Sequence, residues 1–85
     1  MTTDDKRQRE VLAAEYILSL KKTRQFRRTY WYAVMFGPDG KPAGEHIPAP
    51  REQWVRDASR NSDCEIMRGS RAQIFDASIA VLRSS

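Results

Sequence analysis

The alternation of apolar and polar positions divides the chain into six elements. Residues 6–23 hold no glycine or proline, and Val11, Leu12, Ala13, Ala14, Tyr16, Ile17, Leu18 and Leu20 make this stretch densely apolar. Wound at helical spacing, these positions leave only a narrow polar stripe at Glu15 and Ser19. A long first helix follows, capped by the carboxylate of Asp4 or Asp5, with residues 1–3 frayed. So wide an apolar arc faces more than one neighbour. A sheet plus a second helix would satisfy it, and so would a second subunit, which makes a homodimer one expectation.

Residues 29–36 change the period from helical to alternating. Tyr30, Tyr32, Val34 and Phe36 would share one face, and Trp31, Ala33 and Met35 the other. Both sets are apolar, so this strand should be central and covered on both sides. Gly37-Pro38-Asp39-Gly40 has the chemistry of a hairpin turn. The return strand, 41–47, contains Pro42 and Gly44 and belongs at a sheet edge. Pro50 suits the first turn of a short helix over 51–60, with Trp54, Val55 and Ala58 inward. Asn61-Ser62-Asp63 breaks that helix. Residues 64–68 then alternate as a third strand, with Cys64, Ile66 and Arg68 opposed to Glu65 and Met67. Ser70 can cap a final helix whose stripe is Phe75, Ile79 and Leu82, with Arg83 in its last turn and residues 84–85 frayed. The predicted fold class is α+β. A small two- to three-stranded antiparallel sheet with a central hairpin is packed by a long N-terminal helix, a short middle helix and a C-terminal helix, in one domain over 1–85.

Composition narrows the class. Of 85 residues, 40% are hydrophobic and 31% charged, a balance that suits a small folded protein rather than a disordered chain. No apolar run approaches the length of a membrane span. The mixed-charge first ten residues lack the apolar core of a secretory signal, so the expected location is cytoplasmic. With one cysteine, Cys64, and one histidine, His46, neither a disulfide framework nor a metal site is expected, and no cofactor is implied.

Charge changes the picture most. Lys21, Lys22, Arg24, Arg27 and Arg28 put five positive charges and no acid into residues 21–28. The chain's net charge is +4, so the other 77 residues together carry −1. A concentrated excess makes a local field that attracts phosphate or an acidic protein. The segment runs straight into Tyr30-Trp31-Tyr32, and cations beside aromatic rings suit phosphates and unstacked bases. Against this, cations at a helix C-terminus are favoured by the helix dipole alone. No ribonucleoprotein signature, GXXG loop or zinc finger accompanies the segment. Arginine outnumbers lysine by 11 to 4; outside 21–28 the arginines are interleaved with acids, a pattern that codon usage explains as well as recognition does.

Catalytic chemistry finds little material. His46 lies between Glu45 and Ile47 with no strained nucleophile turn to serve, and reads as a surface or half-buried histidine. Cys64 has no base linked to it in sequence and reads as a small buried thiol. Trp54 is either a core anchor or an exposed hot spot. The sequence thus points away from an enzyme. It points toward a small binding or regulatory protein that engages nucleic acid or a nucleoprotein complex through Lys21, Lys22, Arg24, Arg27 and Arg28, with Tyr30 or Trp31 adding stacking. The alternative is a small inhibitor or adaptor, of the kind phages and mobile elements encode. It would dock the same patch on an acidic surface of a host protein, with Trp54 or Tyr30 as anchors.

Overall fold

The computed structural model describes residues 3–21 and 29–84. Its elements run α1 (Thr3–Ser19), β1 (Trp31–Phe36), β2 (Pro42–Ala49), α2 (Glu52–Ser59), β3 (Asp63–Arg68) and α3 (Arg71–Ser84). The three strands form one antiparallel sheet in the order β2-β1-β3, so β1 is central. This is the α+β architecture, and the element order, that the apolar pattern predicts.

The central strand fills two cores at once. Successive side chains of a strand point to opposite faces. Tyr32, Val34 and Phe36 pack with Ala13 and Ile17 of α1 and Ile74 and Phe75 of α3. Ala33 and Met35 pack on the other side with Ala49 and with Val55 of α2. The broad apolar arc of α1 is used in two directions, since α1 lies across the sheet and also against α3.

The hairpin turn forms at Gly37–Gly40 as its residues demand. Gly37 N–H donates to Lys41 O at 2.9 Å, and Lys41 N–H donates to Asp39 Oδ1 at 3.1 Å. Gly40 takes φ +77°, which a residue with a Cβ rarely adopts. Beyond the turn the ladder slips. Val34 faces His46 and Phe36 faces Pro42, so three residues of β2 oppose Met35 alone. Gly44, at φ +80°, turns this bulge.

Several boundaries differ from the sequence expectation. Helix α1 starts at Thr3, so residue 3 is not frayed, and Asp4 and Asp5 lie inside the first turn rather than capping it. It ends at Ser19, where Leu20 and Lys21 N–H bond back only three residues, to Ile17 and Leu18. Strand β2 runs on to Ala49, so Pro50 ends a strand instead of opening a helix. Helix α2 turns Val55 and Ser59 inward, not Trp54 and Ala58, which are exposed. One line of side chains is all that an eight-residue helix presents to the sheet. Ser59 can occupy it because its hydroxyl donates to Val55 O at 2.7 Å; Ser78 does the same with Ile74 O at 2.8 Å in α3. That local bond removes the cost of burying a hydroxyl. Ser84 lies in α3 rather than in a frayed end.

Ser70 caps α3 as expected, and reciprocally. Gln73 N–H donates to Ser70 Oγ at 3.2 Å, while Ser70 N–H donates to Gln73 Oε1 at 2.9 Å, the geometry of a capping box. At the opposite end of the sheet, Arg9 of α1 ties down β3. It meets Asp63 at 2.9 Å, Glu65 at 3.5 Å and the Cys64 carbonyl at 3.1 Å, with its guanidinium 4.6 Å from the Phe36 ring centroid.

Two substitutions test this account by urea denaturation. Ile17→Ala, at a fully buried position, should remove about 2–5 kcal/mol of unfolding free energy. Ser70→Ala should cost about 1 kcal/mol. An unchanged midpoint for Ile17→Ala would mean that α1 is not docked on the sheet.

Candidate binding surface

The chain places an aromatic and cationic surface at the end of the sheet where β1 begins. Tyr30 precedes the first ladder pair. Its carbonyl accepts from Gly69 N–H at 2.9 Å, which carries the β1–β3 pairing one step past the strands. Its side chain is nevertheless 61% exposed. This corrects the grouping of Tyr30 with Tyr32 on the inner face: Tyr32 is wholly buried, and Tyr30 is in solvent. Tyr32 therefore offers no ring to a ligand.

Trp31 is half-buried and packs against the α2 core. It stands directly across the ladder from Arg68, whose guanidinium carbon lies 5.4 Å from the Trp31 ring centroid. Tyr30, Trp31, Pro50, Arg68 and Ser70 line an open depression of about 620 Å³. Gly69 shapes its floor. At φ +150°, a Cβ there would come within 3.0 Å of Gln73 Cβ and 3.1 Å of Gln73 Oε1, pushing apart the α3 cap.

Two further arginines flank the depression in sequence. Arg51 follows Pro50, and its guanidinium carbon lies 5.6 Å from the Trp54 ring centroid. Trp54 itself is 54% exposed, which corrects its expected place as an inward residue of α2. Arg71 follows Ser70, lies 5.1 Å from the Phe75 ring centroid and donates from Nη2 to Lys21 O at 3.0 Å. That bond sets the end of α1 beside the start of α3. Lys21 is exposed. Lys22, Arg24, Arg27 and Arg28 lie outside the described residues. Among the described residues, no carboxylate comes within ion-pair distance of Arg51, Arg68 or Arg71. The acids that do pair meet Arg9 and Arg56 instead.

The structure thus brings together Tyr30 and Trp31, sets Trp54 beside Arg51 on the next helix, and adds Arg51, Arg68 and Arg71. Sequence reasoning passed over these three arginines because each stands alone among neutral or acidic neighbours. The usable signal was register: Arg68 ends the third strand just where Trp31 begins the first.

His46 is engaged by two tyrosines. Its Nδ1 lies 3.0 Å from the Tyr16 hydroxyl, and its ring stacks on Tyr32 with centroids 5.5 Å apart. Burial holds its pKa below the ordinary histidine value, and burial followed by the Glu45 charge raises that of Tyr16. The hydrogen bond between the Tyr16 hydroxyl and His46 Nδ1 pins α1 to β2. Cys64 is a half-buried free thiol, and no cluster of metal-ligating residues occurs among the described residues. No helix among them is long and apolar enough to cross a membrane. Compared with known proteins, the chain matches no family model, no curated protein and no solved structure.

The His46 environment has a pH signature. A histidine pKa lowered on folding means that the unfolded chain binds the extra proton first. The stabilisation is full above the unfolded value, near pH 6.5, and is lost as pH falls through the lower folded value. Glu65, raised mainly by burial, titrates with the opposite sign. The difference between wild type and His46→Phe isolates the histidine. Wild type should lose stability relative to the variant as pH falls below about 6.5, read by thermal melts from pH 7.5 to 5. A pH-independent difference would contradict the buried neutral ring.

Proposed function

We propose that this chain is a non-enzymatic binding protein that engages nucleic acid, or a nucleoprotein complex, through the surface at the start of β1. The observation that carries the reading is that an exposed aromatic, Tyr30, and Arg68 line one depression, with Arg51 and Arg71 next in sequence to its lining residues Pro50 and Ser70, and that none of the three arginines is neutralised by a described carboxylate. An arginine already paired with an acid offers little to a phosphate. One stacked on a ring keeps its planar donor fork free for bidentate contact. Lys21, the described member of the cationic run, is tied to Arg71, and in sequence the run ends two positions before Tyr30. A reducing cytoplasm is the compartment that goes with this reading and with a single free thiol.

A second reading has its own support. Trp54 stands exposed beneath Arg51, and tryptophan and arginine are the residues that most often dominate protein interfaces. On that reading the chain is an inhibitor or adaptor docked on an acidic host protein, with Trp54 as anchor. Trp54→Ala separates the two: it should leave nucleic-acid affinity nearly unchanged if the first reading holds.

The decisive measurement is the salt dependence of binding to labelled DNA and RNA. Five phosphate contacts from residues 21–28 give a slope of log K against log salt of about −3.5 on single strands and −4.5 on duplexes. Replacing Lys21, Lys22, Arg24, Arg27 and Arg28 with glutamine should flatten the slope by about that amount. Absent or salt-insensitive association with both DNA and RNA would end this reading.

A further inference from the structure

We infer that the depression beside Tyr30 receives an unstacked base, so that the nucleic acid this protein takes is unpaired: a single strand or a loop. This rests on the nucleic-acid reading above and narrows it to a substrate class.

Tyr30 is a platform on a fixed base. Its carbonyl is held by Gly69 N–H, the residue before it is buried, and the residue after it enters the sheet. Its ring still stands mostly in solvent. A base stacking on it covers apolar surface without ordering more backbone, the main cost of building such a site on a loop. The adjoining space, about 620 Å³, falls within the range of roughly 300–1,000 Å³ typical of small-ligand sites. Arg68, held over Trp31 across the ladder, sets a guanidinium at its rim for the phosphate that accompanies the base.

The rest of the surface fits a duplex poorly. A helix that reads a groove presents several side chains to base edges while the surrounding phosphates repel carboxylates. The outer positions of α2 carry Glu52 and Asp57 beside Arg56, those of α3 carry Asp76 between Arg71 and Arg83, and those of α1 carry Asp5 and Glu15. No helix among the described residues has an acid-free cationic face. Helices cover both faces of the sheet, and the exposed ring lies at its end. Stacking of bases one at a time suits that geometry.

The test is fluorescence anisotropy with one mixed-sequence 15-mer, offered as a single strand and as a blunt duplex, in DNA and RNA forms. The single strand should bind at least tenfold tighter than the duplex. Tyr30→Ala should weaken single-strand binding by roughly 5- to 150-fold, leave the circular dichroism spectrum unchanged, and be rescued by Tyr30→Phe. Equal affinity for both forms, or a Tyr30→Ala variant with unaltered single-strand affinity, would overturn the inference while leaving the broader nucleic-acid reading in place. Failure of both forms to bind would overturn the two together.

Discussion

Everything in this small protein depends on the burial of β1 from both sides. A strand of six residues cannot stand alone, and a two-stranded hairpin is marginal in water. Here β1 has a hydrogen-bonded neighbour on each edge and a helical layer on each face. Tyr32, Val34 and Phe36 hold α1 and α3, while Ala33 and Met35 hold α2. The two cores share one backbone, so disturbing either side disturbs the register that the other needs. That coupling lets 85 residues fold with a single cysteine and hence without an internal disulfide.

The same strand explains what was legible in the sequence. Six consecutive apolar residues after a charged segment have one economical reading, a central strand, and the structure has it. The turn at Gly37–Gly40 and the edge position of β2 were equally legible, because glycine and proline act through local geometry. Boundaries set by tertiary contact were not. Pro50 satisfies the rules for a helix start, yet the ladder with β1 keeps β2 going to Ala49 and pushes the helix to Glu52. Ser59 and Ser78 look polar, so neither was read as a core position, and in α2 Trp54 and Ala58 were placed inward instead. Their bonds to the carbonyls four residues back make them small core residues.

The binding surface was half legible. Tyr30 and Trp31 stood out as aromatics beside cations, but alternation alone put Tyr30 indoors with Tyr32. It is outside because the strand proper starts one residue later, where cross-strand partners and covering helices begin. Arg68 and Arg71 flank the β3–α3 connection while Arg51 lies between β2 and α2, so their relation to Tyr30 and Trp31 arises only when the sheet closes. Composition could not distinguish them from arginines of no consequence. That no described carboxylate pairs with them is a property of the folded surface: even Glu52, next to Arg51 in sequence, pairs with Arg56 instead.

The bulge at Gly44 has a consequence for self-association. Strand β2 forms one border of the sheet, and it carries Pro42 and Pro48 as well as the break opposite Met35. Prolines cannot donate, and a kinked border offers no straight row of peptide groups to a newcomer. The opposite border, β3, has neither proline nor bulge. Even that border is not bare, since Arg9 of α1 already holds the Cys64 carbonyl there, so a newcomer strand meets prolines and a kink on one side and an arginine on the other.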